Sequence, residues 1–141
     1  MIILDTNILS ELMRPQPSEI VTRWVSQQSA PSLFITTITQ AEIWYGLALL
    51  PLGQRRTVLE KTIEEMFAED FNQRVLSFDT AAARTYAAIT AGRRSVGRPI
   101  GQSDAQIAAI ALSCGALVAT RNVTDFEGCG ITVLNPWIDG S

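Results

Sequence analysis

The chain opens Met1-Ile2-Ile3-Leu4-Asp5-Thr6-Asn7, a short apolar run that stops on an acid. Consecutive branched apolar residues read as a strand covered on both faces, the kind found inside a parallel sheet. A carboxylate at the end of such a strand is costly to bury unless a cation or strong donors compensate. In open α/β sheets the carboxyl edge of the strands is where ligands bind, so Asp5 is the first candidate for chemistry.

Further short runs rich in Ile, Val, Leu and Phe follow at Leu33–Ile35, Val75–Phe78, Leu117–Ala119 and Ile131–Leu134, with helical patterns between most of them. This alternation predicts an α/β fold with a mainly parallel sheet. Helix starts are expected at Ser18, Thr39, Asp79 and Ser103, and Gly115 is a natural stop. The charged stretch from Gln54 to Asp70 reads as an amphipathic surface helix, and Gly92 to Gly101 as a helix end running into a loop. Without a repeat, a low-complexity tract or a shift in composition, residues 1–141 are expected to form one domain.

Composition removes whole classes of chemistry. The 141 residues include no histidine, which excludes Ser-His-Asp and Cys-His catalysis, histidine metal sites and paired-histidine RNA cleavage. Cys114 and Cys129 lack the C-x-x-C spacing of a redox or zinc site and suit a reducing, cytoplasmic setting. No secretory signal is expected at the N-terminus, and no apolar run approaches the roughly 20 residues needed to span a bilayer, so no membrane association is expected. Eleven basic against fourteen acidic residues give a net charge of −3, so a polyanionic partner must be held locally or through metal ions.

Four acids fall shortly after strands or at helix starts: Asp5, Glu42, Asp104 and Asp125. Three have ordinary explanations. Thr39-x-x-Glu42 spells a capping box, Ser103-Asp104 is a common helix start, and Asp125 suits a turn. Converging carboxylates would repel one another, and a divalent cation relieves that repulsion. With only oxygen ligands on offer, the ion is Mg²⁺, with Mn²⁺ as the alternative. Such an ion suits phosphodiester hydrolysis. Arg93, Arg94 and Arg98 are candidates for gripping phosphate, against the simpler reading of solvated charges near a helix C-terminus.

The segments Ile3-Leu4-Asp5-Thr6-Asn7, Glu42-Ile43-Trp44-Tyr45-Gly46, Asp104-Ala105-Gln106-Ile107-Ala108-Ala109 and Thr120-Arg121-Asn122-Val123-Thr124-Asp125-Phe126 resemble, in order, motifs of PIN-domain ribonucleases. The resemblance is specifically to the VapC toxins of toxin–antitoxin pairs, the FitB-like branch included, and covers essentially the whole chain. It implies a three-layer α/β/α sandwich and a Mg²⁺- or Mn²⁺-dependent endoribonuclease. It also implies an RNA substrate, tRNA or another structured RNA among the candidates, a cognate VapB-like antitoxin and a homodimer. By the same resemblance Asp5, Glu42 and Asp104 are core acids, with Asp5 and Asp104 the metal ligands. Many relatives carry an acid where this chain has Asn122, so Asn122 is expected to position water or substrate, with Asp125 a candidate for the missing acid. Antitoxin contacts are conceivable at the charged Gln54–Asp70 helix and at exposed parts of Trp24, Trp44 and Leu47–Leu52, although core packing is the commoner fate of such aromatic and Leu residues.

Two rival readings remain. A haloacid-dehalogenase-like phosphatase also begins with a strand leading into an aspartate, but it needs an acid where Asn7 stands and a downstream lysine, and the chain's one lysine is Lys61. A non-catalytic PIN-like module that binds RNA or protein would keep the fold and make the acids structural.

Overall fold

The computed structural model describes residues 1–139. Five parallel strands form the sheet: β1 (Ile2–Leu4), β2 (Leu33–Thr36), β3 (Val75–Leu76), β4 (Leu117–Ala119) and β5 (Val133–Leu134), in the order β3-β2-β1-β4-β5. The chain builds outward from β1 to β3, then returns to the other side of β1 for β4 and β5. The strand order therefore reverses between β1 and β4, and their carboxyl ends flank the crevice where such sheets take ligands.

Among the described residues seven α-helices surround the sheet: α1 (Thr6–Leu12), α2 (Glu19–Ser26), α3 (Thr37–Ala48), α4 (Gln54–Glu65), α5 (Thr80–Ser95), α6 (Gln102–Cys114) and α7 (Pro136–Asp139). Alternation along β1 divides the core in two. Ile2 and Leu4 join Ile8, Val21, Trp24, Ile43 and Ile63 of α1 to α4, while Ile3 joins Ala82, Ile89, Ile107 and Ile110 of α5 and α6. This is the expected α/β/α sandwich. Among the described residues no helix is long and apolar enough to cross a membrane.

Ser18 and Asp79 cap α2 and α5 as expected, and Gly115 ends α6 in the left-handed conformation at φ 69°. Two starts differ. β2 runs one residue further than its apolar run, so Thr36 caps α3 by accepting the Thr39 N–H at 3.1 Å, and Glu42 lies in the second turn. The capping-box explanation of Glu42 therefore fails. Helix α6 begins after Gly101, whose missing side chain offers no cap, and Asp104 is in its first turn.

The Gln54–Asp70 helix is α4 followed by one wider turn, Met66–Asp70, that swings Phe71 into the core. The Gly92–Gly101 segment is the expected helix end running into a loop: α5 continues through Gly92, Arg93 and Arg94 to Ser95 and then stops. Of the expected antitoxin contacts, Trp24 and Leu47 are buried and Trp44 packs edge-on to Phe67, whereas Leu49 and Leu52 are exposed.

Candidate active site

Asp5 leaves β1 at the reversal point and is only 5% exposed. Its N–H bonds to the Ala119 carbonyl at 2.9 Å, which continues the β1–β4 ladder by one residue and brings Thr120 alongside. One carboxylate oxygen caps α1 by accepting the Thr6 N–H at 2.8 Å. The other accepts the Thr120 hydroxyl at 2.8 Å and the Asn7 amide at 3.2 Å. Asn7 also donates to the Thr120 oxygen at 3.1 Å, and its own carbonyl accepts the Arg121 N–H at 3.2 Å.

Thr120 is fully buried and takes a third bond from the Asn122 N–H at 3.1 Å. Strong donors thus compensate Asp5 in part, and they lock the ends of β1 and β4 together. On the other side Thr6 donates its hydroxyl to Glu42 Oε1 at 2.8 Å and lies 3.0 Å from the Thr39 hydroxyl.

Burial pushes the pKa of Asp104 up to about 6, with repulsion from Asp5, Asp125 and Glu42 adding to it and Arg93 opposing it. The pKa of Asp5 is also raised, first by burial; the bonds from Thr120 and Thr6 pull it down, and Glu42 and Asp125 push it up again. Asp5 and Asp104 therefore both feel the charges of Glu42 and Asp125, as separate turn and cap residues would not. A cleft of about 500 Å³ opens over three of them, lined by Asp5, Glu42, Asp104, Asn122, Arg121 and Trp137 among others. Asp125 sits in the short turn Val123–Phe126 beyond the cleft lining.

None of the three arginines expected to hold phosphate lines this cleft. Arg93 is buried and spends its guanidinium on the carbonyls of Arg98, Asp125 and Glu127 at 2.7, 3.0 and 2.8 Å. Arg98 pairs with Glu127 at 2.9 Å, and Arg94 is exposed in the last turn of α5. The cations of the cleft are Arg14 and Arg121 instead. Arg14 is 3.3 Å from Glu11, and Arg121 lies over the Trp137 ring at 5.0 Å. Lys61 is exposed on α4, outside the cleft, which removes the lysine a dehalogenase-like phosphatase requires.

Residue types alone passed over Thr6, Asn7 and Thr120, although all three stand in the quoted motifs. Hydroxyls and amides immediately after strands were the signal, and only the β1–β4 pairing gives it meaning.

The strand-order reversal brings Asp5, Glu42 and Asp104 to one cleft at the carboxyl edge of the sheet, where such folds take their ligands. The family model described as PIN domain matches residues 2–127, and this chain belongs to that family. It is 41% identical to the VapC ribonuclease Y4jK of Sinorhizobium fredii, across 97% of this chain and 98% of that protein. It is 38% identical to the toxin FitB of Neisseria gonorrhoeae, across 99% and 100%. The crystal structure described as FitAcB from Neisseria gonorrhoeae superposes with a TM-score of 0.93 at 38% identity, covering 98% of this chain and 99% of that one.

Proposed function

We propose that this protein is a metal-dependent endoribonuclease and the toxin of a toxin–antitoxin pair. The observation that carries the reading is the meeting of Asp5, Glu42 and Asp104 around one cleft, where the Asp104 carboxyl is pushed up to about 6, first by burial and then by repulsion from Asp5, Asp125 and Glu42. Repulsion of this kind is costly unless a cation offsets it.

Among the described residues, no three acidic, histidine or cysteine side chains stand together in ligating geometry. Mg²⁺ does not require that. It keeps several waters and is commonly held by one or two carboxylates, so Asp5 and Asp104 fit it, and Mn²⁺ fits the same oxygen donors. When bound, the ion supplies Lewis acidity toward water and the phosphodiester.

The chain's own residues do the rest. Thr120, Thr6 and Asn7 hold Asp5 in one orientation, and so fix where a ligand is held. Glu42, oriented by the Thr6 hydroxyl, takes a proton from the attacking water. Asp125 adds negative charge behind the pair, and Asn122 offers an amide at the cleft for water or substrate.

The substrate is RNA, with tRNA or another structured RNA among the candidates. A VapB-like antitoxin is the partner suggested by the likeness to FitB and to the structure described as FitAcB. A homodimer and a cytoplasmic setting complete the reading, the first tested by light scattering of the purified chain.

The decisive experiment is cleavage of a mixed RNA pool containing tRNA by the antitoxin-free protein in Mg²⁺ or Mn²⁺. Discrete fragments should appear, and should vanish with EDTA and in D5N and D104N. Cleavage that survives EDTA overturns the metal dependence. No cleavage by folded, ion-loaded protein overturns the nuclease reading in favour of a binding module.

A further inference from the structure

We propose that Arg121, held over the Trp137 ring, is the residue that grips the RNA backbone beside the acids. The inference rests on the ribonuclease reading above. An acidic cleft that cleaves a polyanion needs at least one cation to seat the strand, because the carboxylates repel it. The arginines that composition suggested are committed elsewhere: Arg93 to three carbonyls and Arg98 to Glu127. Of the two arginines that do line the cleft, Arg14 is engaged by Glu11 at 3.3 Å, and Arg121 has no carboxylate partner among the described residues.

The backbone of Arg121 is anchored at the acidic centre. Its N–H bonds to Asn7, its preceding residue Thr120 bonds Asp5, and its following residue Asn122 bonds Thr120. Its guanidinium lies 5.0 Å from the Trp137 ring centroid, and Trp137 is itself packed against the α1–α4 half of the core. A cation over a ring face is attracted through its charge, which leaves its N–H donors for a bidentate pairing with phosphate. A long side chain is thereby ordered before it meets its ligand, which lowers the entropic cost of the contact. Arg121 is a phosphate contact and Trp137 a positioning residue acting through it.

The experiment compares the parent protein with R121A, R121K and W137F, in Mg²⁺ across a potassium chloride series. Readouts are steady-state cleavage of the mixed RNA pool and affinity for a labelled mixed-sequence single-stranded RNA. R121A should raise KM about tenfold with kcat little changed, the size of one lost charged hydrogen bond. It should also flatten the dependence of log affinity on log salt by about 0.7, the value for one phosphate contact on a single strand. R121K keeps the charge but not the planar fork, so it should keep the salt slope while its KM rises by a smaller factor. W137F keeps an aromatic face but a smaller one, so its KM should rise by less than that of R121A while its salt slope stays parental. The proposal is overturned if R121A retains the parental KM and slope, or loses kcat alone. A parent that neither cleaves nor binds RNA overturns the nuclease reading and this inference together, whereas a parent that cleaves RNA as well as R121A does overturns only this one.

Discussion

Thr120 donates its hydroxyl to Asp5 at 2.8 Å across 115 residues of chain, and that bond joins the ends of the two strands on either side of the sheet's reversal point. The same oxygen accepts from Asn7 and from the Asn122 backbone, so it satisfies three neighbours at once. Thr120→Val keeps the shape and removes all three bonds. It should cost about 1–3 kcal/mol in urea unfolding, the range for stranding buried polar partners, while Thr120→Ser should recover most of it. RNA cleavage should fall more in the Val variant than in the Ser variant, because Asp5 loses the donor that orients it.

The raised carboxyl of Asp104 sets the sign of a pH effect in the metal-free protein. Its ordinary value is 3.8 and its folded value about 6, so between them the folded state keeps a proton that the unfolded chain has released. Stability should therefore fall as pH rises from about 4 to about 6 and level off above, with Asp5 adding to the same trend. Thermal melts in EDTA across this range check it. D104N should flatten the profile and melt higher than the parent at neutral pH, and a parent profile that rises through this window would contradict the assignment.

Adding Mg²⁺ should reverse that loss. A ligand that binds only the folded state raises the melting temperature in proportion to the logarithm of its concentration. The rise should be present at pH 7.5, small near pH 5 where Asp104 is protonated, and absent in D104N. An equal rise in D104N would mean that the ion binds elsewhere.

Arg93 is a buried cation surrounded by carbonyls, and it ties the C-terminal end of α5 to the turn that carries Asp125. Arg93→Met should cost about 3 kcal/mol, since several charge-assisted bonds are lost and the carbonyls are left buried. Arg93→Lys should recover only part, because an ammonium cannot present the planar fork. Hydrogen exchange should show the loosening at residues 123–129 before it reaches the sheet.

The strands and the leading acid were legible because their signals are local. Ile2, Ile3 and Leu4 mark a buried strand, and Asp5 is out of place there unless something holds it. The helix start at Thr36 was ambiguous for a physical reason: Thr36, Thr37 and Thr39 all have the chemistry of a cap, and the extra residue of β2 decides among them. Arg93 and Arg121 exchanged roles for a different one. Charge and flanking glycines cannot show whether a guanidinium is covered, and Arg93 is covered by a turn more than thirty residues away. Thr120 carried no visible role because its importance comes entirely from β4 lying next to β1, a fact of strand order that no single segment contains.

The earliest of the five described strands is thus the middle of the sheet, and the strand that completes its edge at the acids arrives more than a hundred residues later. On a translating ribosome the emerging N-terminal half holds Asp5 and Glu42 but lacks Asp104 and Thr120, so no fragment short of β4 can assemble the cleft. At about 5–20 residues per second, that delay amounts to several seconds of synthesis before the enzyme exists. The cleft is therefore a late product of synthesis, formed only once β4 can pair with β1.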